Sequence, residues 1–335
     1  MLLEQLLSVE ELDNVLDKPK VSSMRDAYGE ALVKYGSEIK DIVVVGADTT
    51  GSIKTSLFGQ KFPERFFNVG IAEQNLVSVA AGLAMAGKVA FASTYAVFAP
   101  GKCVDQMRNA IAYPEVNMKL VASHAGISVG PDGASHQELE DIATMRAIPH
   151  MRVVVPSDPT STDRLIEILA KTRGPFYMRI ARPNCPIIYT PEQASKSINL
   201  GKVTVLKEGR DATILSCGLL VYEALIAARK LAKENSLSVA VYDMHSIKPL
   251  DEDAIVAAAK STGNIVTAEE HNILGGLGGA VAEVLSEKYP VLMRRVGTMD
   301  TFGESGEQAE LMAKYGLTAN NIASKVLELR TAGRK

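Results

Sequence analysis

Beyond residue 20 the chain alternates short apolar runs, rich in β-branched residues, with longer stretches whose apolar positions recur at helical spacing. The short runs cover 41–45, 89–93, 119–123, 152–155 and 176–180. Between them, 73–86, 100–111, 137–146 and 159–171 read as helices. An apolar run that does not alternate with polar residues suits a strand buried on both faces, as in a parallel sheet under helices. Strand–helix alternation of this kind predicts an α/β layered fold.

The rhythm breaks over 182–200, where Pro183, Pro186 and Pro191 stand in a polar stretch that reads as a connector. It then restarts, with strands expected over 212–216, 238–242, 264–268 and 291–295 and helices over 219–235, 251–261 and 278–288. The pattern predicts two doubly wound α/β domains, 21–185 and 201–335, with a linker over 186–200 and a helical arm over 1–20. Glu4, Glu10, Glu11 and Asp13 interrupt the apolar residues of the arm, so it reads as a short amphipathic helix rather than a secretory leader. A dimer-stabilising role is the working expectation for it.

Composition narrows the classes. The 335 residues, 47% hydrophobic and 22% charged, suffice for two full cores, and no apolar stretch reaches the length of a membrane span. A net charge of -3 lacks the basic excess of a nucleic-acid binder, although a small anion needs only a few basic groups. Cys103, Cys185 and Cys217 form no C-x-x-C pair and suit a reducing cytoplasm.

Candidate chemistry concentrates in two places. In 66–98, FFNVGIAEQNLVSVAAGLAMAGKVAFASTYAVF, a strand is expected to end at Gly70 and Glu73 to open a small-residue helix. A carboxylate there is favoured by the helix dipole; alone, it is equally well explained as a structural cap. The next strand ends in Thr94, with Tyr95 and Phe98 just beyond. Strand C-termini in such sheets line the ligand crevice, where two aromatics could hold a flat heteroaromatic ring or simply pack a core or interface. The second place is 123–137, SHAGISVGPDGASHQ, with two of the five histidines, His124 and His136, and Asp132 between them. Their spacing fits no common metal site, and a turn with a capping Asp is the plain alternative. The run GGLGG at 275–279 follows a strand and opens a helix, but it lacks the G-x-G-x-x-G spacing of a dinucleotide loop.

The G-I-A-E-Q-N stretch with its helix, the S-T-Y-A-V-F segment and AEEHNILGGLGGAVAE together resemble transketolase, over nearly the whole chain from about residue 20. The resemblance implies a thiamine-diphosphate-binding (pyrimidine-type) domain followed by a transketolase C-terminal domain. By it, Glu73 meets the ring nitrogen N1′ of the cofactor's aminopyrimidine, favours the imino tautomer at the 4′ position, and so helps remove the thiazolium C2 proton. Tyr95 and Phe98 would hold the pyrimidine; Gly101 stands where a third aromatic is often found. His124 would bind the sugar phosphate and Asp132 a hydroxyl near the reacting carbon. His136 would contact the donor's hydroxyls and take part in proton transfer. Ala125 and Ala134 stand where the family often has Asp and Pro. Arg25, Ser52 and Arg182 match its phosphate-site residues; arginine's fork suits a phosphate, although each alone is more commonly a surface ion pair.

In that family an N-terminal domain marked by G-D-G and a later Asn holds magnesium and the diphosphate, and no G-D-G occurs here. The resemblance therefore implies the C-terminal subunit of a split transketolase. It would move a two-carbon ketol unit from a ketose phosphate to an aldose phosphate in cytoplasmic carbohydrate metabolism, as in the pentose phosphate pathway. It would act only with a separate N-terminal subunit, in a heterotetramer of two small and two large chains. Thiamine diphosphate is the expected cofactor, with Mg2+ held by the partner and no metal site in this chain. Neither nucleic acid nor membrane is an expected partner. One rival is the β chain of a 2-oxo acid dehydrogenase, against which His124 and the D-G-x-x-H-Q-x-x-E-x-x-A-x-x-R-A-I-P loop speak. Another is deoxyxylulose-phosphate synthase, where an arginine usually takes the His124 position. A third is a cofactor-free scaffold, which would have no use for Glu73, Tyr95 and Phe98.

Overall fold

Ile42–Gly46 and Met118–Ser123 are buried at every position, as continuous apolar runs require of strands covered on both faces. They belong to a seven-stranded sheet in the computed structural model, which describes residues 5–332. From one edge its order is Ser246–Lys248, Arg152–Val154, Phe176–Arg179, Met118–Ser123, Val89–Tyr95, Ile42–Gly46 and Phe66–Asn68. The first of these runs antiparallel to its neighbour and the other pairs are parallel. A five-stranded sheet follows, ordered Leu292–Thr298, Asn264–Asn272, Ala212–Ser216, Val239–Asp243 and Thr204–Lys207, with only the last antiparallel. The expectation of two doubly wound α/β layers thus describes the chain.

Local chemistry sets the helix starts. Pro159–Lys171 begins at its expected residue because the Asp158 carboxylate accepts from Ser161 N at 2.6 Å and Pro159 needs no donor there. The helix expected over 137–146 begins only at Asp141. Gln137 is used otherwise: its amide donates to the carbonyls of Ile127 and Gly130, each at 3.3 Å, and to that of Glu304 at 2.9 Å. The helix expected over 100–111 runs as Ala99–Gln106 and continues as a π turn, Met107–Ala112.

The connector is more structured than its prolines suggest. Asn184–Pro186 pairs antiparallel with Val21–Ser23, and a capped helix spans Pro191–Ser197. Between them, the buried Asp158 accepts from Ile188 N and Tyr189 N at 2.7 and 3.0 Å, and the Tyr189 hydroxyl donates to Asp243 at 2.6 Å. Buried polar groups must find partners, and these bind the segment to both halves. Ser246–Lys248, from the second half of the sequence, completes the edge of the first sheet. The arm packs on the chain's own second half. Leu6 N and Leu7 N donate to Val205 O and Leu206 O, and Leu7, Leu12 and Leu16 are buried in the chain's own core. Residues 1–4 of the arm lie outside the described residues.

Candidate active site

The C-terminal ends of Val89–Tyr95 and Met118–Ser123 lie side by side, with Tyr95 opposite Ser123 in register. Tyr95 and the residue after Ser123 therefore arrive at the same rim of the sheet. The rings of Tyr95 and His124 stack with centroids 3.8 Å apart, and Phe98 stacks on Tyr95 at 5.8 Å. His136 closes the cluster edge-on, 5.4 Å from Phe98 and 6.4 Å from Tyr95. Four of the expected residues thus form one aromatic group.

Glu73 opens the helix Glu73–Met85 next to this group and is buried despite its terminal position. The strand Phe66–Asn68 delivers it, and Asn68 Oδ1 accepts from Asp48 N and Gly70 N, tying two rim loops together. The Glu73 carboxylate is met by Lys102, whose ammonium lies 3.2 Å away and 4.5 Å above the Phe98 ring. Sequence reasoning missed Lys102. Its signal was there: it stands four residues after Phe98, the spacing that puts two side chains on one helix face. A Cβ built on Gly101 would meet nothing within 4 Å, so the missing third aromatic leaves open space. The neighbouring Cys103 thiol is pushed up to about 12 by burial and then by the Glu73 charge, and is inert.

On the other side of Tyr95 lies a cavity of about 310 Å³, lined by Arg25, Ser52, His124, Asp132, Arg182, Pro183 and Asn184 as well as Tyr95. The four residues expected to bind the phosphate, Arg25, Ser52, His124 and Arg182, meet here with Asp132, which was expected to read a hydroxyl near the reacting carbon. Arg25 is anchored by one terminal nitrogen on Ser52 O at 3.0 Å, while its Nε is buried with no partner among the described residues. Ser52 thus contributes its carbonyl to Arg25 and its side chain only to the lining. Arg182 donates to Val129 O at 2.7 Å and approaches Asp132 at 3.8 Å. His124 adopts a left-handed backbone, φ 59°, which is strained for a residue with a Cβ and gathers at functional sites. Ser123 Oγ lies 2.7 Å from its Nδ1. Burial, and then Arg25, Arg182 and His136, push His124 down to about 3, so its imidazole is neutral at neutral pH. Two arginines and an imidazole lining one cavity are suited to a doubly charged oxyanion.

Three further carboxylates were not singled out from sequence. Glu269 accepts from Leu277 N and Gly278 N at 2.7 and 2.8 Å, so the GGLGG turn closes on the chain's own carboxylate, leaving no open phosphate loop. Glu270 accepts from Ser128 N at 2.6 Å, and Arg179, paired with Asp141 at 2.9 Å, donates to Glu270 O. Burial, with Asp141 and Glu140 adding, raises the Glu138 carboxyl well above the usual carboxylate range. These groups lock the 123–137 loop to the second half. No group of three or more His, Cys, Asp or Glu among the described residues is placed to hold a metal ion. Among the described residues no helix is long and apolar enough to cross a membrane.

Residues 20–187 match the family of the transketolase pyrimidine binding domain, and residues 201–322 that of the transketolase C-terminal domain. A putative transketolase C-terminal section from Methanocaldococcus jannaschii is 47% identical over 91% of this chain and 95% of its own. A 6-deoxy-6-sulfo-D-fructose transketolase subunit from a Clostridium species is 39% identical over 91% of this chain and 94% of its own. A solved split gene transketolase, described as an inactive beta4 tetramer, is 49% identical with a TM-score of 0.86, covering 92% of this chain and 98% of that one. Matched across both sheets and at nearly full length on either side, the chain belongs to the transketolase family.

Proposed function

We propose that the chain is the C-terminal subunit of a thiamine-diphosphate-dependent transketolase that moves a two-carbon ketol unit between sugar phosphates and works only with an N-terminal subunit. The observation that carries this reading is Tyr95, which belongs at once to the ring cluster beside Glu73 and to the cationic cavity of Arg25, His124 and Arg182. One aromatic wall between a carboxylate and an oxyanion pocket suits a sugar phosphate whose far end must reach a bound heteroaromatic ring.

The residues fit the pyrimidine end of the cofactor: a buried carboxylate at a helix N-terminus, two stacked rings and free space at Gly101. When bound, the cofactor supplies the nucleophilic carbon and stores the two-carbon unit. Glu73 shares a proton with the ring nitrogen N1′, Phe98 and Tyr95 set the ring plane, and the wall of rings limits water. Arg25 and Arg182 bind the substrate phosphate, with Ser52 at the rim, and His124 donates to it. Asp132 orients a hydroxyl near the reacting carbon. His136, at the edge of the rings, holds the donor's hydroxyls and moves a proton at them.

Mg2+ and the diphosphate are assigned to the N-terminal subunit, in a cytoplasmic heterotetramer of two chains of each kind. The description of a 49% identical relative as an inactive tetramer of one chain type supports that division. The relatives carry transketolase names, which does not favour the dehydrogenase, synthase or scaffold readings. The test is co-expression with a large subunit carrying G-D-G, followed by a ketol-transfer assay with and without thiamine diphosphate. Transfer that needs both chains and the cofactor is expected; transfer by the isolated chain would contradict the division of labour.

A further inference from the structure

Among the described residues, Lys102 Nζ is the one hydrogen-bond donor that reaches the Glu73 carboxylate, at 3.2 Å. The same ammonium lies 4.5 Å over the face of Phe98. These are the two contacts that a protonated pyrimidine would make: an N–H to the carboxylate, and a flat electron-poor face on the ring. We propose that Lys102 is a stand-in cation, which occupies the ring seat in the cofactor-free subunit and must swing out before the cofactor enters. The proposal rests on the thiamine reading above.

Burial explains why a stand-in is useful. The Glu73 side chain is only 7% exposed, and a carboxylate so enclosed is costly without a partner. The Lys102 side chain is 51% exposed, on a flexible stem, so it can leave for solvent without disturbing the core. The backbone beside it is already irregular. Cys103 departs from helical angles, at φ -118° and ψ 17°, Gly101 precedes, and the π turn follows. Departure also has a chemical consequence. Once the ammonium leaves, the carboxylate oxygen it held is free to meet the ring nitrogen, so cofactor entry and the release of Glu73 become one event.

The experiment uses the chain assembled with its N-terminal subunit. Thiamine diphosphate and thiamine are each titrated calorimetrically into the wild type, Lys102→Met and Lys102→Arg. Lys102→Met is expected to bind both about fivefold more tightly, the worth of one partly exposed ion pair, and Lys102→Arg to match the wild type. In a Glu73→Gln background, where nothing holds the ammonium, the gain from Lys102→Met should vanish. Unchanged binding by Lys102→Met, or weaker binding of the diphosphate form as expected of a diphosphate ligand, would overturn the proposal while leaving the thiamine reading intact. A wild-type complex that binds neither ligand would overturn both.

Discussion

Glu73 and Glu269 each lie where a parallel strand gives way to a helix, one in each half of the molecule. Glu269 turns onto the backbone N–H groups of its own helix and closes the turn. Glu73 is part of its helix's first turn and is met by Lys102, a half-exposed side chain that also lies over the Phe98 ring. A helix N-terminus attracts anions, and in the second half that attraction is satisfied from within. In the function proposed above, the first half keeps its carboxylate for a ligand. The difference also explains why the second half contributes support: Glu270, Glu304 and the 303–306 segment pack onto the 123–137 loop and fix the residues that line the cavity.

The contrast predicts opposite phenotypes. Glu73→Gln in the assembled enzyme should lower ketol transfer by about 100-fold or more, with little change in melting temperature. An unchanged rate would remove Glu73 from the chemistry. Glu269→Ala should instead destabilise the chain by roughly 2 kcal/mol in chemical denaturation, since two buried N–H groups lose a charged acceptor. Its rate per folded molecule should stay close to wild type, and a loss of rate without a loss of stability would break the comparison.

A smaller effect tests the oxyanion pocket. His124 is neutral at neutral pH, with its pKa near 3, and a bound dianion raises it, so binding takes up a proton. Sulfate affinity of the isolated chain should therefore rise about threefold between pH 6 and 4, and His124→Gln should abolish the slope. In the ligand-free protein the folded pKa lies below the unfolded one. The stability that His124 contributes is then present above about pH 6.5 and lost as the pH falls toward 3. A wild-type denaturation series over that window, compared with His124→Gln, checks the sign.

Much of this could be read from the chain. The central strands are continuous apolar runs, and the helix Pro159–Lys171 carries its own cap and proline. What was not legible depends on distant partners. Ser246–Lys248 is too short to declare itself and becomes a strand only against Arg152–Val154. The residues after His136 read as helix because Gln137's three acceptors, one of them at Glu304, are invisible locally. The proposed site residues come from the family motifs, and the structure gathers Tyr95, Phe98, His124 and His136 in one ring cluster and Arg25, Ser52, Asp132 and Arg182 around the adjoining cavity. Lys102 stands in no motif: its spacing from Phe98 could be read, but its contact with Glu73, 29 residues earlier, could not.

The central claim is that Glu73 exchanges a proton with the cofactor's pyrimidine. The most direct measurement is deuterium exchange at the thiazolium C2 position of thiamine diphosphate bound to the assembled enzyme, followed by NMR. The wild type should exchange C2 rapidly, and Glu73→Gln, loaded to the same occupancy, should slow the exchange by about 100-fold or more. Equal rates in the two proteins would contradict the account.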